Sequence, residues 1–95
     1  EHVDFATLQM WLGEIFRILK NDGVLILATP NPYAVDAFKA FWVDPTHVRP
    51  YYPEAILREL HSCGFRSGHV EVEGLQKSVH DRLEYAGEYS VIAKK

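Results

Sequence analysis

The feature that most constrains the fold is an unbroken apolar run, Val24–Ala28, between Gly23 and Pro30. A strand with one wet face alternates apolar and polar side chains, so a continuous run predicts burial on both faces. Its short length and its flanking glycine and proline favour a strand over a helix. In parallel α/β sheets, ligands bind outside the carboxyl ends of such strands. We therefore expect a core strand over Val24–Thr29 whose exit, Thr29–Pro32, faces a binding site.

The segment before this strand has the pattern of an amphipathic helix. Asp4 is a suitable N-cap, and the helix is predicted to run to about Lys20. Asn21-Asp22-Gly23 tolerates the left-handed backbone that ends a helix and turns the chain. Helix, tight turn and strand make half of a βαβ unit, whose other strand would precede Glu1. The apolar face is predicted to contain Leu8, Leu12, Ile15 and Leu19.

A second helix is predicted directly after the strand, with Asn31 as its cap and Pro32 in its first turn. The stretch Val43–Pro53 follows and contains three prolines, which restrict the backbone to an ordered loop. Histidine, arginine and tyrosine side chains on a long loop near a strand exit indicate a candidate binding site.

The rest of the chain, from Pro53 onwards, predicts a further helix and two strands. The helix runs from Pro53 to about Cys63, and Gly64 ends it with Phe65 packing back. Alternation predicts a half-buried strand over His69–Glu73, and Glu88–Lys94 is also predicted to be a strand. The segment between them fits either a helix or a long loop. In order, these segments are Pro53–Cys63, His69–Glu73, Leu75–Ala86 and Glu88–Lys94.

Size and charge limit the classes of function. Ninety-five residues make one domain, and the 47% hydrophobic and 24% charged fractions are ordinary for a globular protein. The net charge is −3, and Lys and Arg do not cluster, so neither nucleic acid nor a membrane surface is an expected partner. Cys63 is the only cysteine, which excludes an internal disulfide and a cysteine metal cluster. With no signal peptide and no long apolar span, a cytoplasmic location is expected.

The ordered series of short motifs resembles class I S-adenosylmethionine-dependent methyltransferases of the small-molecule group. The series comprises the helix end Arg17–Gly23, the strand Val24–Pro32, the segment His47–Tyr51 and the Gly64-Phe65 pair. Asn21-Asp22-Gly23 departs from the family's usual Pro-Gly-Gly at the helix end. The resemblance implies that residues 1–95 are a single domain, the acceptor-side C-terminal half of a Rossmann-like methyltransferase domain.

The resemblance also implies the sheet and the cofactor. The fold would be α/β, a partial Rossmann-like sheet in which Val24–Thr29 is the family's fifth strand. Phe65–Glu73 would be the sixth, and Glu88–Lys94 the seventh, inserted antiparallel between them. The glycine-rich turn and the acidic residue that holds the ribose would lie upstream of Glu1. S-adenosylmethionine would therefore be bound mainly by that other half, and the 95-residue chain alone is expected to be inactive.

His47 and Arg49 are the principal candidate site residues. A histidine suits removal of a proton from an O or N methyl acceptor near neutral pH. An arginine can hold an acceptor carboxylate or phosphate through paired hydrogen bonds. The alternative is that both residues brace the loop by bonding backbone carbonyls and Asp44.

Further candidates lie around the strand exit. Thr29 and Asn31 could contact the acceptor, although helix capping is an equally simple role for Asn31. Aromatic residues could form an acceptor pocket, although such a stripe more often packs in a core. The aromatic candidates are Tyr33, Trp42 and Tyr51.

Glu1 and His2 would lie on the cofactor side, as weak candidates for cofactor binding. A similar Glu-His pair in ubiquinone-pathway methyltransferases resembles part of a divalent-metal site that includes another Glu three residues upstream. Because that third ligand is not among these residues, no metal is predicted. The alternative is an exposed, frayed terminus.

Two functions remain open at this point. The first is methyl transfer to a small-molecule acceptor by the parent protein. The second is a non-catalytic interaction module, in which the unpaired edge of Val24–Thr29 associates with another chain, for example as a homodimer.

Overall fold

The computed structural model describes residues 1–95 as three α-helices, a three-stranded sheet and a separate two-stranded hairpin. None of the helices has both the length and the apolar composition needed to cross a bilayer. In chain order the elements are α1 (Phe5–Ile18), β1 (Val24–Pro30), α2 (Val35–Val43), α3 (Pro53–Cys63), a 3₁₀ turn (Ser67–His69), β2 (Val70–Glu73), β3 (Gln76–Val79), β4 (Arg82–Tyr85) and β5 (Glu88–Lys94).

The main sheet has the strand order β1-β5-β2, and β5 runs antiparallel to both neighbours. Strands β1 and β2 are therefore parallel to each other with β5 inserted between them, which is the arrangement the resemblance implied. The β2 strand begins at Val70 rather than at Phe65, because Ser67–His69 first forms a 3₁₀ turn.

Strand β1 lies at an edge of the sheet, which confirms the expected unpaired edge, but the prediction that its apolar run is buried on both faces is wrong. Leu25 and Leu27 pack against the core, whereas Val24 and Ile26 are 50% and 67% exposed. The run places apolar side chains on both faces of the strand, but other residues of the chain cover only one of these faces.

Helix α1 confirms the predicted amphipathic helix and its cap. The carboxylate of Asp4 accepts a hydrogen bond from the Thr7 amide at 2.8 Å, and Leu8 and Leu12 are buried. The helix ends at Ile18, two residues earlier than predicted.

Helix α2 begins later than the sequence predicts. The Asn31 side chain accepts a hydrogen bond from the Tyr33 amide at 3.0 Å, and its carbonyl accepts one from the Ala34 amide at 3.1 Å. These bonds form a turn, so the helix starts at Val35 and has no side-chain cap. The prediction of Asn31 as the helix cap is therefore wrong.

Helix α3 has the predicted bounds and ends at Gly64, whose φ of +126° is one that other residues rarely adopt. The Phe65 amide then donates to the Leu60 carbonyl at 3.0 Å, which satisfies a helix-end carbonyl. A Cβ atom at Gly64 would lie only 2.6 Å from the ring of Phe16, so glycine also permits α1 and α3 to approach here.

The segment that the sequence left open between a helix and a loop is a β-hairpin, so neither alternative is correct. Strands β3 and β4 pair across a two-residue turn at His80 and Asp81, which have φ of 49° and 62°. Positive φ at both central residues is typical of tight hairpin turns, but these usually carry glycine or asparagine. Both strands are largely exposed and therefore need no apolar face. Their sequences, QKSV and RLEY, accordingly carry little of the apolar alternation that predicts a strand.

The core lies between the sheet and helices α1 and α3. Tyr89 on the central strand is fully buried, and its hydroxyl donates a hydrogen bond to the Tyr51 carbonyl. Burial raises the pKa of the Tyr89 phenol well above its ordinary value. The buried cluster comprises Leu8, Leu12, Tyr51, Ile56, Leu60, Phe65, Tyr89, Val91 and Ala93.

Lys95 joins the end of β5 to the end of α1. Its amide donates to the Gly23 carbonyl at 2.8 Å, next to the start of β1. Its ammonium donates to the carbonyls of Phe16 and Leu19 at 2.6 and 2.8 Å. A positive charge on the terminal carbonyls of a helix is stabilising, so Lys95 completes α1 from a distant part of the sequence.

Candidate functional site

A cavity of about 280 Å³ opens beside the carboxyl end of β1, between this strand, β5 and helix α1. It lies where the sequence predicts a site. Its wall is mainly apolar, and its polar side chains are concentrated around Glu1, His2 and Thr29. The twelve lining residues are Glu1, His2, Val3, Leu8, Trp11, Leu27, Ala28, Thr29, Tyr51, Ile56, Tyr89 and Val91.

Glu1 is held in place rather than frayed. Its carbonyl accepts hydrogen bonds from the amides of Val48 and Arg49 at 2.8 and 3.3 Å. Its carboxylate accepts a hydrogen bond from the Thr29 hydroxyl at 3.1 Å, and its side chain is only 22% exposed. Glu1 thus connects the exit of β1 to the proline-rich loop.

Two imidazole rings meet beside the Glu1 carboxylate. The rings of His2 and His47 are edge to face with their centroids 4.7 Å apart. His2 Nε2 lies 3.4 Å from Glu1 Oε1, and His47 Nε2 lies 3.4 Å from Asp44 Oδ2. We refer to Glu1, His2, Asp44 and His47 as the rim cluster, because Glu1 and His2 also line the cavity.

The loop is built around the Asp44 carboxylate. Its Oδ1 accepts hydrogen bonds from the Thr46 amide at 2.9 Å and from the Thr46 hydroxyl at 2.7 Å. These two bonds hold the pKa of Asp44 below its ordinary value, because they stabilise the ionised form. The second carboxylate oxygen is left to face His47.

His47 also braces the loop, as the alternative prediction proposed. Its Nδ1 lies 2.8 Å from the Phe41 carbonyl near the end of α2, and its ring lies 4.6 Å from the Phe41 ring. His47 does not line the cavity, but its ring contacts that of His2, which does. Its role as a base stays a prediction.

Arg49 lies over two aromatic rings rather than in the cavity. Its guanidinium carbon is 5.0 Å from the centre of the Phe5 ring and 5.3 Å from that of Tyr51. Cation–π contacts of this kind hold the side chain against the domain without neutralising its charge. The arginine remains exposed and has no carboxylate partner, so its predicted role in holding an acceptor anion stays open.

Thr29 and Tyr51 are the predicted site residues that line the cavity together with Glu1 and His2. The Tyr51 ring forms part of the wall, while its hydroxyl donates a hydrogen bond to the Val3 carbonyl at 2.9 Å. Burial raises the pKa of this phenol, so it stays protonated near neutral pH.

Asn31, Tyr33 and Trp42 lie away from the cavity. The fully buried Asn31 amide donates to the carbonyls of Leu75 and Ala86 at 3.1 and 2.8 Å, which ties β1 to the hairpin. The Tyr33 hydroxyl donates to the Glu54 carboxylate at 2.7 Å, and this bond raises the pKa of the phenol. Trp42 is 56% exposed and packs edge-on against Phe41.

Several wall residues were not predicted as site residues, including Leu8, Trp11 and Val91. The apolar spacing of α1 did identify Leu8 as part of its inward face. What the sequence could not show is that this face stops short of the sheet near Thr29 and leaves an opening.

No family model matches the chain, and no curated protein matches it either. Among solved structures, the chain is similar to a SAM-dependent methyltransferase from Archaeoglobus fulgidus, with a TM-score of 0.85. The match covers all of this chain at 24% sequence identity and 55% of that protein's chain. The chain therefore has the fold of about half of a SAM-dependent methyltransferase, which confirms the resemblance at the level of the fold.

Proposed function

We propose that the chain is the acceptor-side part of an S-adenosylmethionine-dependent methyltransferase that acts on an O or N atom of a small molecule. The cofactor would be bound mainly by a preceding half of the same domain, in the cytoplasm. The 95-residue chain alone would have no methyl-transfer activity.

The observation that carries this proposal is the cavity at the carboxyl end of β1, within a fold shared with a methyltransferase structure. Apolar walls with a few convergent polar groups are typical of small-molecule sites. The cavity is large enough for a compact acceptor, and its polar rim could orient the reacting atom. Because a shared fold alone does not define a reaction, the site must carry this part of the proposal.

The rim cluster and the neighbouring arginine supply the chemistry that methyl transfer requires of a protein. The reaction is a displacement at the sulfonium methyl, so positioning and removal of the acceptor proton are the main contributions. In this proposal His47 acts as the base through the rim cluster, and Arg49 holds an anionic group of the acceptor. Thr29 and Tyr51 would contact the acceptor from the cavity wall.

Calorimetry with S-adenosylmethionine tests the cofactor assignment. The full-length protein should bind it, whereas the 95-residue chain should show no measurable heat. Absence of binding by the full-length protein would overturn the proposal.

A double variant tests the site assignment in the full-length protein. His47→Ala with Arg49→Ala should lower kcat/KM by at least about 100-fold, since general-base catalysis alone contributes that much. Formation of S-adenosylhomocysteine with a panel of small phenols, amines and carboxylic acids provides the readout. The matched control, Arg58→Ala with His61→Ala, changes the same residue types at exposed positions of α3 and should leave turnover unchanged. Equal activity of both double variants would contradict the assignment.

A second function, self-association, is favoured by the exposed edge of β1. The strand pairs only with β5, and Val24 and Ile26 present apolar side chains beside the free edge. Unpaired edges readily add a strand from another chain. We propose a homodimer joined at this edge as the alternative role. Sedimentation that shows a monomer at all protein concentrations would exclude it.

A further inference from the structure

The rim cluster contains an electrostatic arrangement that the proposed methyl transfer does not explain. Two imidazole Nε2 atoms each face a carboxylate oxygen at 3.4 Å. A neutral Nε2 that carries a lone pair and a carboxylate oxygen are both acceptors, so they repel unless a positive centre lies between them. That centre is either a proton on Nε2 or a metal ion, and the hydrogen bonds at Nδ1 show which nitrogen of each ring faces the carboxylate.

In His47 the neighbouring carbonyl determines the tautomer. Nδ1 lies 2.8 Å from the Phe41 carbonyl, which can only accept a hydrogen bond. Nδ1 therefore carries the hydrogen, and in the neutral ring the lone pair is on Nε2, which faces the rim cluster.

In His2 the same conclusion follows from Thr46. His2 Nδ1 lies 3.3 Å from both the carbonyl and the hydroxyl oxygen of Thr46. The hydroxyl already donates its hydrogen to Asp44 at 2.7 Å, so both oxygens act as acceptors towards Nδ1. The lone pair of neutral His2 is therefore also on Nε2, directed at Glu1.

Both rings thus donate Nδ1–H to backbone carbonyls and direct Nε2 towards a carboxylate. Histidines that bind metals almost always donate their other ring N–H to such an acceptor, because this outer hydrogen bond fixes the tautomer and the ring orientation. The ligand atoms of Glu1, His2 and His47 all lie within 4.8 Å of one another. In a tetrahedral zinc site, bonds of about 2.0–2.1 Å place neighbouring ligands about 3.4 Å apart. The ligand atoms must therefore approach one another by about 1.4 Å or less to bind such an ion.

We propose that Glu1, His2 and His47 form a binding site for a divalent transition metal, with Zn²⁺ as the best-matched ion. Two imidazoles and one carboxylate are a known catalytic ligand set for zinc, and three protein ligands leave a coordination position open. Since Glu1 and His2 also line the cavity, that position lies at the cavity rim. The Phe41 carbonyl orients His47 through Nδ1, and Asp44 Oδ2, 3.4 Å from His47 Nε2, is placed to supply a further ligand.

The sequence did not predict this site, because the third ligand comes from the loop, 45 residues after His2, rather than from a residue upstream of Glu1. Proline spacing folds the loop back, and the bonds from Val48 and Arg49 to the Glu1 carbonyl hold the two segments together. The proposal rests on these contacts and does not require methyl transfer to be correct. An Nε2 of His47 that binds the ion cannot also accept a proton, so at this residue the metal site replaces the base role proposed above.

Zinc titration of the 95-residue chain by calorimetry tests the proposal. The protein is stripped of metal and its terminal amino group is acetylated, so that no free α-amino group near His2 can supply a ligand. We expect one saturable site and a rise in Tm on zinc addition, because an ion that binds only the folded state stabilises it.

Ligand variants identify the residues that bind. His2→Ala and Glu1→Gln should each weaken zinc binding by at least about tenfold and remove the rise in Tm. His2 is 55% exposed, and glutamine keeps an oxygen for the Thr29 hydroxyl, so both variants should fold. His47→Ala should weaken binding equally, with circular dichroism as a check that the loop change leaves the fold intact.

His61→Ala and His69→Ala are matched controls, since both residues are exposed and lie outside the rim cluster. They should leave zinc affinity unchanged. No saturable binding by the unaltered chain, or equal losses in the control and ligand variants, would overturn the metal site. A failed zinc titration with intact S-adenosylmethionine binding by the full-length protein would refute the metal site alone.

Discussion

Strands β1 and β5 are both seven residues long and lie side by side, yet their burial is opposite to their hydrophobicity. The β1 sequence, VLILATP, is almost wholly apolar. The β5 sequence, EYSVIAK, contains three polar or charged residues and a tyrosine. Nevertheless β5 contains three fully buried residues, Tyr89, Val91 and Ala93, and β1 contains none. The less apolar strand is the centre of the sheet.

The difference between β1 and β5 shows that the hydrophobicity of a strand and its burial are separate properties. The composition of a strand records which surfaces suit burial, and the neighbours that are present determine which surfaces become buried. Strand β5 has β1 on one side and β2 on the other, with helices packed over its inner face. Strand β1 has one neighbouring strand, and its outer face remains in contact with solvent at Val24 and Ile26.

Truncating the central strand should have the largest effect on stability. Tyr89→Ala removes a fully buried ring and its hydrogen bond to Tyr51, and it should lower the free energy of unfolding by about 4 kcal/mol. Urea denaturation followed by circular dichroism measures this loss. A change below about 1 kcal/mol would show that β5 is not the packed centre of the sheet.

The two faces of β1 should differ when neighbouring residues are truncated. Leu27→Ala acts on the side that packs against the core and should cost about 2 kcal/mol, the low end for such changes because Leu27 is only partly buried. Ile26→Ala, the matched control, is 67% exposed and should cost less than about 0.5 kcal/mol. Equal losses measured in urea would mean that the outer face of β1 is covered.

The hydroxyl of Tyr89 should make a smaller, pH-dependent contribution. Tyr89→Phe leaves the buried Tyr51 carbonyl without its partner and should cost about 1 kcal/mol near neutral pH. Burial raises the pKa of this phenol in the folded state, so the unfolded chain loses its proton first as the pH rises. Stability is therefore fully present below the ordinary tyrosine pKa of about 10 and is lost at higher pH.

Denaturation between about pH 8 and pH 11 measures this dependence. The unaltered chain should lose stability more steeply than Tyr89→Phe. Tyr33 and Tyr51, whose pKa values are also raised, should give both proteins a remaining slope of the same sign. Parallel pH profiles would assign the whole dependence to those two residues.

A charge on the free edge should have the smallest effect on the monomer. Ile26→Lys places an ammonium on an exposed face and should change the free energy of unfolding by less than about 0.5 kcal/mol. If the proposed homodimer forms at this edge, the same change should dissociate it, because edge lysines oppose strand pairing. A dimer that persists in sedimentation of Ile26→Lys would exclude β1 as its interface.

Local signals in the sequence were sufficient for most elements of the fold. Asp4, Pro53 and Gly64 mark helix ends through capping and backbone geometry, and the structure has helix ends at or near each of them. The hairpin was missed because its turn is formed by His80 and Asp81 without glycine. The late start of α2 was missed because Asn31 bonds the hairpin and its own turn instead of a helix.

The position of the cavity was predictable, but the side chains that meet at its rim were not. The apolar run identified the exit of β1, and the prolines identified the loop beside it. The meeting of His47 with Glu1 and His2 depends on tertiary contacts between segments more than forty residues apart, which no local pattern encodes. Arg49 likewise has an obvious charge, but its position over Phe5 follows from the fold.

The bonds from Lys95 to α1 have a consequence for the order in which the chain folds. The ammonium reaches carbonyls 79 and 76 residues earlier in the sequence, at Phe16 and Leu19. Contacts of such long range form late, because closing a long loop costs entropy before the contact is made. The first turns of α1 can form early, but its last turn should become protected from hydrogen exchange only together with β5. A single helix is thus divided between two cooperative units, and the boundary lies within its final turn.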